Sequence, residues 1–168
     1  MRKLKHTLIL IYVVTLFGGC GIYSFTGVSI PAEAKTISIG YFPNTSDLVE
    51  PTLSQVFTDA LRDYFASNTN LDLVERDGDL EITGTIIDYY TSPIAITGNQ
   101  TAALNRLTIK VEVSFMNYFD DKKNYESIFT QHADYPSDND LFDVQEALHE
   151  EINLALIEDI FNKAVVNW

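Results

Sequence analysis

LTIKVEVSFM, at residues 107–116, is the clearest strand pattern of the chain, because its apolar and polar side chains alternate almost throughout. Successive side chains of a strand point to opposite faces, so this pattern predicts a strand with one buried face and one polar face. The apolar positions are Leu107, Ile109, Val111, Val113 and Phe115. The intervening positions are Thr108, Lys110, Glu112, Ser114 and Met116.

Further strands are predicted on both sides of this segment, at residues 36–42, 71–74, 80 to about 90, and 125–135. Between the third of these and residue 107, the run TSPIAITGNQ at residues 91–100 contains Pro93 and Gly98. Both residues interrupt strand pairing, so we expect a loop or a hairpin tip there.

Two amphipathic helices bracket the later strands. The first begins near Pro51 and carries apolar residues at spacings of three and four from Leu53 to Phe65. The second runs from about Leu141 to Val165, after acidic and amide residues suited to an N-cap. Its second half has a wider apolar face, with Leu154, Leu156, Ile157 and Ile160. That face predicts either a contact beyond the sheet or deeper burial within the domain.

This element order predicts an α+β fold, because a run of strands bracketed by helices favours helices packed against an antiparallel sheet. We expect a two-layer sandwich. Its sheet is mostly antiparallel, with four to five strands, and two helices pack on one face. Residues 36–168 form a single domain, which residues 20–35 precede as a tether with a short strand.

The N-terminus has the pattern of a lipoprotein signal peptide. Three basic residues precede an apolar run at residues 8–17, and Gly18 and Gly19 precede Cys20. The apolar run is roughly half of what spans a bilayer. We therefore predict that residues 1–19 are removed and that Cys20 becomes the acylated N-terminus. The alternatives are an ordinary secretory signal with a chance cysteine, or an uncleaved anchor.

The predicted anchor indicates the compartment. Acyl chains hold a lipoprotein at a membrane without a spanning helix. Gly21 stands where an aspartate often retains a lipoprotein at the inner membrane, so we expect the outer membrane. No acidic run of the kind used for surface export follows Cys20, which favours the periplasmic side.

The charge excludes several classes of partner. The net charge is −13, and removal of residues 1–19 takes away three basic and no acidic residues, leaving about −16. Such a chain is unsuited to nucleic acid or to unaided binding of anionic lipid surfaces. Cys20 is the only cysteine, so its lipidation leaves no disulfide, and packing must supply the stability.

No catalytic or metal-binding pattern is present in the sequence. Glu146 and His149 share a helical face, but one histidine among carboxylates is more typical of a solvated helix surface. Zinc-protease, nucleophile-elbow and phosphate-loop motifs are absent. We therefore predict no enzymatic activity, no cofactor and no metal.

The predicted hairpin tip is the candidate contact surface. Ile94, Ile96 and Leu104 are apolar residues in or beside it, and Arg106 and Lys110 are the basic residues that follow. Apolar side chains in an exposed loop predict a partner, either a receptor into which the loop inserts or a lipid that it touches. The alternative is a loop that folds back onto its own sheet.

The chain resembles the lipopolysaccharide-assembly lipoprotein family LptE, in the form whose mature N-terminus reads CGxYSFTG. Here residues 20–27 read CGIYSFTG. The resemblance continues through residues 37–44, the helix from Pro51, the strand at 84–90 and the stretch TAALNRLTIKVEV at 101–113.

This resemblance implies a subunit of the outer-membrane lipopolysaccharide translocon. It implies a 1:1 plug and assembly partner of an LptD-type β-barrel, which delivers lipopolysaccharide to the outer leaflet. In some members basic residues near loop tips contact the glycolipid, and Arg106 and Lys110 lie nearest to such a place. The alternative function is a periplasm-facing lipoprotein that binds a small or lipidic ligand without a barrel partner.

Overall fold

The structure is a computed structural model that describes residues 30–48, 50–94 and 103–166. Its strands are β1 (Thr36–Ile39), β2 (Asp72–Val74), β3 (Leu80–Ile94), β4 (Leu104–Asn117) and β5 (Tyr125–Pro136), and its helices are α1 (Leu53–Asn68) and α2 (Leu141–Val165). The sheet order is β2-β1-β3-β4-β5. β1 pairs in parallel with β2 and β3, whereas β3, β4 and β5 are antiparallel. The predicted α+β fold with a mostly antiparallel sheet and two helices is confirmed.

β4 lies between β3 and β5 and contributes the predicted apolar row to the core. All five of its apolar positions from Leu107 to Phe115 are buried, and each pairs across the sheet with residues of both neighbours. Because side chains alternate between the two faces of a strand, all five lie on the same face. They are buried because α2 packs against this face of β4 and β5.

Gly84 is the position at which the inward-facing row of β3 lacks a side chain. Phe42 is fully buried and fills this gap, since a Cβ on Gly84 would lie 2.4 Å from Phe42 Cε1. The chain must leave regular pairing to bring Phe42 there, so the strand predicted at 36–42 already ends at Ile39. The Phe42 amide donates instead to Thr58 Oγ1 of α1, at 3.1 Å.

The connection from β2 to β3 crosses over β1 in five residues, 75–79. Asp77 has a left-handed φ of 55°, and Gly78 lies so close to β1 that a Cβ would be 2.4 Å from the Ser38 nitrogen. Asp79 then accepts hydrogen bonds from the backbone amides of Lys35 and Thr36. These bonds keep the pKa of the Asp79 carboxyl below its ordinary value and fix the start of β1.

β3 is longer than the sequence indicated. Residues 91–94, predicted to belong to the loop, continue the strand and pair with residues 104–107 of β4. Pro93 is accommodated because β1 ends at Ile39, so this part of β3 lies past the end of β1 and needs no donor toward it. A bulge between Ile86 and Asp88 keeps Tyr89 on the buried face.

The wide apolar face of α2 is explained by burial on two sides. α2 packs against β4 and β5 and also against α1, where Phe161 makes edge contacts with Tyr64 and Phe65. Leu156, Ile157 and Ile160 are therefore buried, and Leu154 is the half-exposed exception. The predicted N-cap is confirmed at Asp140, which accepts a hydrogen bond from the Phe142 amide at 2.9 Å. In the described ranges, neither helix combines the length and apolarity needed to cross a bilayer.

Candidate functional site

The far end of the β3–β4 hairpin carries the candidate contact residues. Ile94 and Leu104 form its last described pair, both half-buried, and Leu104 also pairs with Pro136 of β5. They lie in strands rather than in a loop. Ile96, like Cys20, falls outside the described residues. We call Ile94, Leu104 and the two flanking pairs, at residues 92–93 and 105–106, the hairpin end.

Arg106 is held by a carboxylate of the neighbouring strand. Its guanidinium donates from Nε to Asp134 Oδ1 at 2.7 Å and from Nη2 to Oδ2 at 3.0 Å, and the two residues are direct partners across β4 and β5. This bidentate pair lowers the pKa of Asp134 and raises that of Arg106. The positive charge predicted for the hairpin end is therefore already compensated.

Lys110 is compensated in the same way on the other neighbour. Its Nζ lies 2.8 Å from Asp88 Oδ2, its direct partner on β3, and 5.7 Å from the Tyr90 ring centre. The hydrogen bond to Asp88 raises the pKa of Lys110. Each basic residue already has a carboxylate at hydrogen-bonding distance, and this negative charge opposes a phosphate at the same place, so neither forms a ready anion site.

The sheet face opposite the helices, here called the outer face, is polar along β3, β4 and β5. Besides the two ion pairs it carries Thr83, Thr85, Glu112, Glu126, Thr130 and His132, whereas Thr108 is buried beneath its neighbours. Its exposed apolar or aromatic side chains include Ile128 in the middle of β5, Met116 of β4 and Tyr90 of β3. Such a face offers hydrogen-bonding groups and charges, two pairs of which are compensated, with separate apolar side chains between them.

On the opposite side of the domain, an open groove of about 690 Å³ runs between α1 and α2. Val56 and Ala60 of α1 face Leu154 and Ile157 of α2 across it, and Glu146 and Glu150 stand on one side. We call this the interhelical groove. Asn153 also lines it, although the residue is only 3% exposed. Neither amide atom of Asn153 has a hydrogen-bond partner within the described residues, a situation that ordinarily costs about 1–3 kcal/mol.

His149 lies at the same groove but turns its ring into the core. Its Nε2 is 3.0 Å from the hydroxyl of Tyr89, and the histidine is buried. The prediction of a solvated His149 is therefore wrong, because the residue faces β3 rather than water. Burial lowers the pKa of His149, with Glu50 acting in the opposite direction, and burial raises the pKa of Tyr89 to about 12.

The buried contact between His149 and Tyr89 leads us to expect a loss of stability in mild acid. The pKa of His149 is depressed in the folded chain, so the unfolded chain takes up the proton first as pH falls below about 6.5. We expect the free energy of unfolding to be at its full value above that pH and to fall progressively as the pH is lowered further. His149→Gln keeps a partner for Tyr89 but does not titrate, and should flatten this part of the dependence.

Urea denaturation at several pH values measures the effect, and His132→Gln, on the exposed outer face, is the matched control. Equal slopes for wild type and His149→Gln would show that His149 does not contribute to the pH dependence.

Three participating groups were missed from the sequence. Asp88 and Asp134 become partners of the basic residues only through strand register, and Asn153 was hidden within an otherwise apolar helix face. Across the described ranges, no three histidine, cysteine or acidic side chains come together as a metal site would require.

The sequence matches the family model of LptE, described as lipopolysaccharide-assembly, over residues 34–164. The chain belongs to the LptE family. The match covers every strand and nearly all of α2, so the hairpin end and the interhelical groove both lie inside the family domain. None of the curated protein sequences matches this chain significantly.

Solved structures support the same fold. A minor lipoprotein from Acinetobacter baumannii superposes with a TM-score of 0.50 at 15% identity, covering 77% of this chain and 91% of that one. The hypothetical protein CT253 from Chlamydia trachomatis gives 0.51 at 9% identity, covering 80% and 99%. At these identities the likeness of this chain to the two solved structures concerns the fold alone.

Proposed function

We propose that this LptE-family chain is the lipoprotein subunit of an outer-membrane lipopolysaccharide translocon. It acts as plug and 1:1 assembly partner of an LptD-type β-barrel that delivers lipopolysaccharide to the outer leaflet. The family match over residues 34–164 is the observation that carries this proposal. A role in assembly through binding also favours a chain without enzymatic activity or a cofactor.

The outer face of the sheet supports the plug role. The lumen of an outer-membrane barrel is polar, so a domain that enters it needs hydrogen-bonding groups rather than an apolar surface. The threonines and compensated ion pairs of the outer face provide such a surface.

In this proposal residues 1–19 are a cleaved signal peptide, and acylated Cys20 holds the chain at the periplasmic side of the outer membrane. Residues 20–35 form the tether, and 36–168 the single domain. Because a tether confines the domain close to the membrane, it raises the effective concentration of the domain near the barrel.

The hairpin end provides the contact with the barrel. Ile94 and Leu104 supply the apolar part of this contact, and Ile96, outside the described residues, is proposed to join them. Arg106 and Lys110 contribute through their ion pairs with Asp134 and Asp88. The polar atoms of these pairs offer hydrogen bonds to the barrel protein on the outer face. Since both basic groups are compensated, we place them against the barrel protein in preference to the phosphates of lipopolysaccharide.

The decisive experiment is affinity purification of the acylated protein from detergent-solubilised outer membranes, followed by mass spectrometry. We expect one barrel protein of the LptD type in stoichiometric amount. A chain that elutes alone, or together with a lipid only, would contradict the proposal and favour a ligand-binding lipoprotein.

Leu104→Asp tests the hairpin end directly. Leu104 is half-buried at the last pair of β4, so a charge there should be tolerated by the isolated domain but penalised in a packed interface. We expect at least a tenfold weaker complex, a loss of about 1.4 kcal/mol. Co-purification yield and thermal denaturation measure the two effects separately.

Phe119→Asp is the matched control, because Phe119 is half-exposed just beyond the opposite end of β4. An undiminished complex with Leu104→Asp would remove the hairpin end from the interface, while leaving the barrel partnership itself to the purification experiment.

A further inference from the structure

The interhelical groove holds a buried polar group that the plug role does not use. Asn153 offers both a donor and an acceptor in its side-chain amide, and neither is partnered within the described part of the chain. Buried polar atoms are nearly always hydrogen-bonded in native proteins. The nearby residues Ile152 and Leu156 of α2 are apolar and buried. For folding alone, an apolar residue would therefore suit the buried position 153 better than an asparagine.

Two apolar side chains stand at the opening of the groove. Val56 on α1 and Leu154 on α2 are each 50% exposed and line it from opposite sides. Ala60 between the helices is small and leaves the space between them open. An aliphatic side chain entering from outside would contact both helices at once.

The charge of the groove selects the kind of partner. Glu146 and Glu150 line it, and among its described lining residues there is no lysine or arginine. His149 is buried beside Tyr89 and contributes no compensating cation at neutral pH. Anionic lipid and a second copy of this chain, with its net charge of −13, are both disfavoured electrostatically.

We propose that the interhelical groove binds an extended segment of a partner protein that carries aliphatic side chains and lysine or arginine. An aliphatic side chain packs between Val56 and Leu154, and a basic one approaches Glu146 and Glu150. Both amide atoms of Asn153 are buried in the free protein. In the complex the side chain turns toward the bound segment, where its donor and acceptor complement a peptide C=O and N–H. The barrel partnership is not needed for this binding.

The dimensions of the groove agree with such a segment. It extends along α1 from Thr52 to Tyr64, which is about 18 Å at 1.5 Å per residue. Five to six residues of extended chain cover that length at about 3.3 Å each.

The test uses the mature acylated protein in nanodiscs of neutral phosphatidylcholine, with a fluorescein-labelled peptide of sequence KLKLKLK. Two control peptides separate the contributions: KSKSKSK keeps the charge, and ELELELE keeps the leucines. Fluorescence anisotropy, corrected with empty nanodiscs, should show KLKLKLK binding at least tenfold more tightly than either control.

Variants then locate the peptide. We expect Val56→Ser and Leu154→Ser each to weaken binding at least fivefold, and the double variant Glu146→Gln/Glu150→Gln to do the same. Ile128→Ser on the outer face should change nothing, since Ile128 is similarly exposed, at 58%, but lies on the opposite side of the domain. Asn153→Leu should weaken binding at least fivefold while leaving the thermal midpoint unchanged or raised.

Other occupants of the groove give different results. Equal binding of KLKLKLK and KSKSKSK would overturn the proposal in favour of unspecific charge attraction. Weakening of KLKLKLK binding by Ile128→Ser to the same extent as by Val56→Ser would overturn it by placing the peptide outside the groove. Displacement by decyl maltoside with no effect of the glutamate variants would assign the groove to a lipidic ligand. A dimer in sedimentation that Leu154→Ser dissociates would assign it to a second copy.

Discussion

Gly84→Ala is expected to lower the free energy of unfolding by about 3 kcal/mol, at the upper end of what overpacking costs. The new Cβ would lie 2.2 Å from the carbonyl oxygen of Glu112 on β4 and 2.4 Å from the Phe42 ring. The first neighbour is backbone in the middle of the sheet, and the second is a fully buried ring packed edge-on against Phe57 at 5.3 Å. Neither can move without disturbing β4 or α1.

Urea denaturation of the two proteins measures this difference. Gly40→Ala is the matched control, because the nearest atom to a Cβ there is the Thr83 methyl carbon, at 3.3 Å, and the other contacts, from 3.6 Å, are ordinary, so a small change is expected. Phe42→Leu should recover part of the loss when combined with Gly84→Ala, since it makes room for the new methyl group. A loss below about 1 kcal/mol for Gly84→Ala would mean that Phe42 does not fill this gap tightly.

The sequence predicts the layers of this fold well because the strong signals are local. Residues 107–116 alternate, and α2 begins and ends near the predicted residues, since period and capping are properties of neighbouring residues. The antiparallel arrangement of β3, β4 and β5 also follows from short connections between successive strands.

What the sequence does not predict depends on contacts between distant segments. Pro93 indicated a loop, yet β3 continues past it by pairing with β4, and the short β1 leaves no neighbour there that would need a donor from Pro93. The pairing of Arg106 with Asp134 depends on register between strands and spans 28 residues. The position of Asn153 in the interhelical groove depends on α1 and α2 lying side by side, which no local pattern indicates.

Cys20→Ser is expected to release the protein from the membrane almost completely. The variant is best placed behind the signal peptide of an ordinary secreted protein, so that a retained leader cannot serve as an anchor. Each buried methylene of an acyl chain contributes about 0.8 kcal/mol, and two or more chains give stable anchoring. Loss of the chains should therefore reduce the membrane-bound share at least tenfold, as measured by alkaline-washed membrane fractionation.

The same variant separates anchoring from folding and from partner binding. Residues 30–166 include the whole described domain, which does not contain Cys20, so the thermal midpoint should not change. Complex formation with the barrel should fall because the tether no longer raises the local concentration, and overexpression of the soluble variant should restore it by mass action. Labelling with radioactive palmitate should mark the wild type and not the variant. An unlabelled wild type that still remains in the membrane would favour an uncleaved signal anchor instead of a lipoprotein.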